Sequence, residues 1–371
     1  MASTTSMPEP MPFLDLLREY REIETEINAA LARTLAHGSY ILGPEVEAFE
    51  NDWAAFCGVA AAAGVANGTD AVALALIASG AVRPGRQDEV ITSPLTAGYT
   101  ALAIQNAGGV PVFADIDPQT LLIDPKAIEK SITPRTRAIV PVHLYGQLAE
   151  MDSIVALAAR HNLLVIEDAA QAHGAMRYGK RAGAHGTAAA FSFYPTKNLG
   201  AYGDGGAVVS NNPDLIKRVK RLRTGGHPAS VQQHLTGMNS RLDEIQAAIL
   251  RVKLKKLAQW NKRRQQLAGH YNSGLARAGV EIPVAQIPGS HVYHLYVVQH
   301  SDRDGLRKHL AQAGIETLIH YPFLLHQQAL FLQPVSLPAA ERAVKRILSL
   351  PLYPALHSHE IRRVIDAVTE F

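Results

Sequence analysis

Residues 163–174 read Leu163-Leu164-Val165-Ile166-Glu167-Asp168-Ala169-Ala170-Gln171-Ala172-His173-Gly174. A short apolar run closed by polar and glycine residues predicts a buried strand. Two carboxylates stand at its end. The same rhythm runs upstream. Predicted strands over 60–66, 89–92, 111–114 and 138–142 alternate with predicted helices over 45–56, 70–79, 100–106, 125–131 and 151–161. Such alternation indicates an α/β layered domain with a mostly parallel sheet, whose ligands bind at the carboxyl ends of the strands. Successive strand residues point to opposite faces, so only one of the two carboxylates need face that crevice. Asp168, at the very end, is the candidate. A pair of solvated turn carboxylates is the simpler alternative.

Downstream, Phe191-Ser192-Phe193-Tyr194-Pro195-Thr196-Lys197-Asn198-Leu199-Gly200 places a lysine between an apolar strand end and a glycine-rich run. Burial disfavours an ammonium and lowers its pKa, which frees an amine for imine chemistry. Taken alone, a surface loop lysine is the plainer reading. Upstream, Asn67-Gly68-Thr69-Asp70 falls between a strand and a helix. Amides at a helix N-terminus bind phosphate and glycine permits close approach, although an ordinary helix cap is the simpler alternative. A lysine, a strand-end carboxylate and a phosphate cup together match the needs of pyridoxal 5'-phosphate. The lysine forms the imine, the acid keeps the pyridine nitrogen protonated, and the cup binds the phosphate.

The rest of the chain narrows the possibilities. Its 371 residues are too many for one small core, so two packed units are expected. Residues 1–11 read as a disordered lead-in, 12–255 as the large domain and 256–371 as a smaller α+β domain. A helical pattern over 13–38 opens the large domain, and a long helix over 241–275 links the two. A strand over 294–299 and helices over 304–313 and 339–348 fill the second. The basic run 253–264 lies on the long helix and reads as a solvated face. A net charge of +3 gives no strong pull toward nucleic acid. The single cysteine, Cys57, excludes an intrachain disulfide and a cysteine-rich metal site. No apolar run approaches a membrane span and the first residues do not read as a signal peptide, so a cytoplasmic protein is expected. Asp115-Ile116-Asp117-Pro118 resembles a metal-binding DxD pattern, but a strand followed by an Asp-Pro turn is the simpler account. The glycines at 200, 203 and 205 form no dinucleotide fingerprint, because a strand and not a helix follows them.

The motifs GVANGTDA, VPVHLYGQ, VIEDAAQAHGA, FSFYPTKNLGAYGDGG, GMNSRLDEIQAAIL and IHYPFLLHQQ resemble, in order and spacing, those of the DegT/StrS-type nucleotide-sugar aminotransferases. The resemblance runs from Pro12 to the end. It implies the pyridoxal-phosphate-dependent transferase fold of type I. It also implies roles position by position. Lys197 is the imine lysine and Asp168 the partner of the pyridine nitrogen. Gln171 lies against the cofactor, while Gly68, Thr69 and Ser192 bind its phosphate. Asn239 reaches that phosphate from a neighbouring subunit, which makes a homodimer with shared active sites. Arg241 meets the sugar diphosphate, and His320 and Tyr321 lie near the sugar. The segment 93–100 is one residue shorter than in similar proteins, so Tyr99 is expected to stack on the cofactor ring.

The activity so implied is amination of a nucleotide-linked ketosugar with L-glutamate as donor. The opening residues 12–16 and 38–45 look more like the branch that acts on 3-keto than on 4-keto sugars. Dehydrating relatives carry histidine where this chain has Lys197, which argues against dehydration. Amination of a cyclitol ketone is one alternative; a non-catalytic regulator on the same fold is another.

Overall fold

The computed structural model describes residues 10–83, 85–226 and 237–371. Its helices are α1 (Leu16–Glu22), α2 (Glu24–His37), α3 (Pro44–Cys57), α4 (Gly68–Ser79), α5 (Tyr99–Asn106) and α6 (Pro125–Ser131). They continue with α7 (Met151–Arg160), α8 (Pro213–Leu222), α9 (Glu244–Leu275), α10 (Arg303–Gln312), α11 (Pro338–Ala343) and α12 (Ser358–Thr369). The strands are β1 (Ala61–Val65), β2 (Glu89–Thr92), β3 (Val110–Phe113), β4 (Thr136–Val140) and β5 (Leu164–Asp168). A small hairpin, β6 (Met176–Arg177) with β7 (Lys180–Arg181), precedes β8 (Ala188–Ser192) and β9 (Gly206–Ser210), and β10 (Tyr296–Gln299) and β11 (Ile347–Leu350) come last.

The central sheet has the order β1-β9-β8-β5-β4-β2-β3. All pairs from β8 to β3 are parallel, and β9 runs against both β1 and β8. Both faces are apolar, as a sheet covered on both sides requires. Ala62, Ile139, Val165, Phe191 and Val209 face one core, with Phe49, Trp53, Leu157 and Leu250 from α3, α7 and α9. Ala63, Ala138, Ile166, Ala190 and Val208 face the other, with α4 and α8. Helix α4 is buried almost all round, from Ala71 to Ala78. Each fully buried Leu or Ile in such a core contributes about 1.5–3 kcal/mol. The expected α/β layering is therefore the one observed. It aims the ends of β1, β2, β4, β5 and β8 at one edge of the sheet.

The second core gathers β10, β11, α10, α12 and the far half of α9. Met11 belongs to it: the residue is buried, its N–H donates to Gly314 O at 2.8 Å, and its O accepts from Glu316 N–H at 3.0 Å. The expected lead-in over 1–11 therefore does not reach Met11, and residues 1–9 lie outside the described residues. The expected boundary at 255/256 falls inside the continuous helix α9.

Three further expectations change. The helical pattern over 13–38 is two helices that meet at Ile23, whose φ of −129° is not helical. The helix expected over 339–348 stops at Ala343, and residues 347–350 form β11 against β10. Ile347, Leu348 and Leu350 are buried on that strand, and a short apolar run does not distinguish strand from helix. The basic run 253–264 is not uniformly solvated. Lys253 is 1% exposed, with Nζ 2.6 Å from Glu19 Oε1, and Arg264 is 3% exposed. Helices α8 and α12 were not expected. Among the described residues no helix is long and apolar enough to cross a membrane.

Candidate active site

The β5 strand decides between its two carboxylates. Glu167 is wholly buried on the far side, where it accepts N–H bonds from Gly183, His185 and Gly186 at 2.7–2.9 Å. His143 completes that knot: Nδ1 accepts from Ala149 N–H, so Nε2 is the nitrogen that donates to Glu167, at 2.9 Å. Burial opposes the Glu167 charge, but these donors win and hold its pKa below the ordinary value. Glu167 is thus a fixed structural anion. Asp168 faces the strand-end crevice, where Oδ2 accepts from Thr100 Oγ1 at 2.7 Å and Oδ1 from Ala170 N–H at 3.2 Å. Thr100 is the third element of this corner. Nothing in the sequence pattern singled it out, because its partner lies on a distant strand.

Lys197 sits in a tight loop after β8. Lys197 N–H donates to Tyr194 O at 2.9 Å, and Ala201 N–H returns to Phe193 O at 2.7 Å. A Cβ at Gly200 would lie 2.3 Å from Pro195 O, so only glycine lets the loop close. Burial lowers the pKa of Lys197 to about 8, against the attraction of Asp168, which raises it. Three imidazoles stand within its field. Burial and the Lys197 charge push His173 down to about 3, His320 to about 4, and His294 well below its ordinary value. All three are neutral at pH 7. The ammonium is surrounded by neutral rings, so Asp168 is its balancing charge. His173 Nε2 donates to Ser192 O, 2.9 Å away, and its buried Nδ1 has no partner among the described residues.

The cup lies beside this loop. Asn67 caps α4, with Oδ1 accepting from Asp70 N–H at 2.8 Å, so the helix-cap reading holds for this turn. The first-turn amides of Gly68 and Thr69 have no intrahelical partner. A Cβ on Gly68 would lie 2.7 Å from Ser192 Cβ, so the missing side chain keeps the cup and the Ser192 hydroxyl together. An open helix N-terminus, a hydroxyl, a facing carboxylate and a lysine of lowered pKa form one donor set. It fits a phosphorylated pyridine aldehyde. Beneath the loop, a cavity of about 340 Å³ is lined by Thr196, His294, His320, Arg264, Phe13 and Leu318 among others.

The other wall joins Gln171 and Tyr145 of the large unit to His320 and Tyr321 of the small one. Gln171 is buried, with Oε1 accepting from Tyr145 N–H at 2.6 Å and Nε2 donating to Tyr321 OH at 3.0 Å. His320 Nδ1 lies 2.8 Å from Ser349 Oγ. Tyr99 begins α5 with its ring two-thirds exposed, within the field of Tyr321. The run 237–241 flanks the cup strand: Ser240 Oγ accepts from Ala66 N–H at 3.0 Å. Asn239 itself is exposed and Arg241 half-buried, and among the described residues no side-chain hydrogen bond ties either to the cluster. The structure thus brings together Gly68, Ser192, Asp168, Lys197, Gln171, His320 and Tyr321, with Ser240 of the 237–241 run against the cup strand. The DxD-like pattern resolves plainly: Asp117 closes a turn at Gln119 and Thr120, and Asp115 caps α11 at Ala339 and Ala340.

Comparison with known proteins assigns the family. A dTDP-3-amino-3,4,6-trideoxy-alpha-D-glucose transaminase of Streptomyces venezuelae is 47% identical, over 100% of this chain and 98% of its own. The crystal structure of S. venezuelae DesV superposes with a TM-score of 0.93 at 47% identity, covering 98% of both chains. That of NtdA from Bacillus subtilis, with bound cofactor PMP, gives 0.91 at 32%, covering 99% of this chain and 86% of that one. The DegT/DnrJ/EryC1/StrS aminotransferase family matches residues 21–369, and the chain belongs to that family.

Proposed function

We propose that this protein transfers an amino group from L-glutamate to the ketone of a nucleotide-linked 3-keto sugar, with pyridoxal 5'-phosphate as cofactor and as a homodimer. The carrying observation is Lys197, lowered to about 8 and balanced by Asp168 beside the Gly68–Ser192 cup. The 3-amino sugar in the name of the S. venezuelae relative supports the ketone position. When bound, the cofactor supplies a carbonyl that condenses with amines and a ring that accepts an electron pair.

The chain's own residues do the rest. Gly68, Thr69 and Ser192 hold the phosphate, and Asn239 of a neighbouring subunit reaches it. Asp168, fixed by Thr100, keeps a negative charge at the pyridine nitrogen. Tyr99 and Gln171 would lie against the cofactor. Lys197 Nζ would act as base at the donor's α-carbon and then as the acid that gives that proton up again, and in the second half would deliver a proton to the sugar carbon that becomes the amine carbon. Arg241 pairs with the diphosphate, for which a guanidinium fork is suited. The two halves predict ping-pong kinetics.

The test is a panel of 3-keto and 4-keto dTDP- and UDP-sugars, plus a keto-inositol, each incubated with pyridoxal phosphate, L-glutamate and the protein. The expected result is a ketone-to-amine mass change on a 3-keto nucleotide sugar. A change on the keto-inositol alone would move the reading to a cyclitol. A visible band that glutamate never bleaches would move it to a non-catalytic regulator.

A further inference from the structure

A one-way chain of hydrogen bonds runs through the residue beside Lys197. Asn198 is buried, and its Nδ2 donates to Asn261 Oδ1 of α9 at 2.9 Å and to Val292 O at 3.1 Å. Asn261 Nδ2 donates to His173 O at 2.7 Å, and His173 Nε2 donates to Ser192 O. The directions follow from chemistry. A main-chain carbonyl can only accept, so the Asn198 atom facing Val292 O is nitrogen and its other end is oxygen. That oxygen lies 3.3 Å from His294 Nδ1, which therefore carries a hydrogen. The ring is neutral at pH 7, so its one hydrogen is spent there and Nε2 is a bare lone pair. Among the described residues Nε2 makes no hydrogen bond.

Three imidazoles stand in the field of Lys197, and they differ in what they offer it. The bare Nδ1 of His173 is buried, in a ring packed among Trp53, Phe191 and Phe193. His320 Nδ1 meets the Ser349 hydroxyl, which donates or accepts, so that contact does not set a tautomer. His294 alone of the three combines a fixed tautomer with a place on the cavity beneath the lysine loop, beside Thr196. Of the charges around it, Lys197 acts on it most strongly, ahead of Arg264. Arg264 Nη1 already donates to the carbonyls of Tyr293, His294 and Leu352, at 2.9–3.5 Å.

A lysine that takes up a proton away from water needs an acceptor, because an unpaired buried charge is costly. A bare imidazole nitrogen meets that need, and the opposite tautomer would not. We propose that His294 Nε2 is the hydrogen-bond acceptor for the Lys197 ammonium, with Asn198 as the positioning residue that sets its tautomer. The proton stays on Lys197 and none is transferred to the ring. The use of this contact in turnover rests on the aminotransferase reading above.

The experiment compares wild type, His294→Phe, His294→Gln, Asn198→Ala and the double variant His294→Phe with Asn198→Ala, with circular dichroism reporting the fold. Cofactor-free protein reads the midpoint of pyridoxal phosphate capture against pH. Loaded protein reads the glutamate half-reaction, with ordinary and α-deuterated L-glutamate. An acceptor favours the ammonium, so its loss in His294→Phe is expected to move the capture midpoint toward acid by about one pH unit. The glutamate half-reaction is expected to slow about tenfold at saturation, the size of one hydrogen bond to a charged group, with KM within about twofold and a larger isotope effect. His294→Gln keeps a donor for Asn198 and an acceptor for Lys197, and is expected to recover most of both losses. Asn198→Ala acts through the ring, so the double variant should be within about twofold of His294→Phe. If Asn198→Ala does not fold, the two His294 variants decide alone. An unmoved midpoint in His294→Phe, a raised KM with an unchanged isotope effect, or a His294→Gln as impaired as His294→Phe would each overturn the proposal. A wild type that captures the cofactor but is never bleached by glutamate sinks the aminotransferase reading, while the capture midpoint still decides whether His294 meets Lys197.

Discussion

Gly68, Asp168, Ser192 and Lys197 sit at or just past the ends of strands of the seven-stranded sheet, whereas His320 and Tyr321 sit on a loop outside that sheet, just past the pairing of Leu318 with Ser349 of β11. The first group is placed by main-chain pairing: β5 aligns with β8 from Ile166 to Asp168, and β8 with β9 up to Ser192. The second is placed by side chains reaching across the molecule, Tyr145 to His320 over 175 positions and Gln171 to Tyr321 over 150. A wall fixed by a sheet should tolerate loss of one polar contact without moving, so its variants report chemistry. A wall fixed by a few side chains should move when one is lost, so its variants report binding.

The largest effect expected on the sheet wall is from Lys197→Ala. Overall turnover should fall on the order of 10⁴-fold or more, as for removal of a covalent catalytic group. The visible band formed with pyridoxal phosphate should vanish, with circular dichroism unchanged. A retained band would break the comparison at its root, because another amine would then be the nucleophile. Next is Asp168→Asn, with a loss of roughly 10²–10³-fold in the glutamate half-reaction, the range seen when one fixed electrostatic partner is removed. Thr100→Val should cost about tenfold, the range of a hydrogen bond to a charged group, with the sugar Kd unchanged. A Thr100→Val protein that loses sugar affinity instead would show that the two walls are not separable.

The same contrast explains what could be read from the chain alone. The strands 89–92 and 163–167, the latter observed as Leu164–Asp168, and the helix 125–131 follow from apolar periodicity and turn residues, and with them come the strand-end positions of Asp168 and Lys197. Strand alternation says that only one of the two carboxylates need face the crevice, and its place at the strand's end makes Asp168 the candidate; in the structure Glu167 is the one buried against three backbone donors. Thr100, Tyr145 and His294 escaped notice because their roles depend on contacts 68 or more positions away, or on a left-handed φ that no tyrosine advertises. Lys253 escaped for a related reason. A lysine on a helical stripe reads as solvated until a second helix, here α1, brings Glu19 to it. The strand at 347–350 was misread because a buried apolar run of four residues carries no period.

The smallest effect concerns pH and tests the electrostatic half of the comparison. In the cofactor-free protein the neutral form of Lys197 is the nucleophile, and its pKa is lowered to about 8 by burial. Raising the pH toward that value removes the proton. The neutral fraction grows from about one-tenth at pH 7 to about one-half at pH 8, so capture of pyridoxal phosphate should speed up about fivefold and flatten above pH 9. An ordinary lysine at 10.5 would keep accelerating about tenfold per unit through that range. Asp168 acts in the opposite sense to burial, because its charge favours the ammonium. Asp168→Asn should therefore move the midpoint toward acid, while Tyr321→Phe, on the loop wall, should leave it in place. Stopped-flow absorbance across pH 6–10 on the three proteins measures both shifts. A midpoint that follows Tyr321 and ignores Asp168 would mean that the charge balance of Lys197 is set from the loop and not from the sheet.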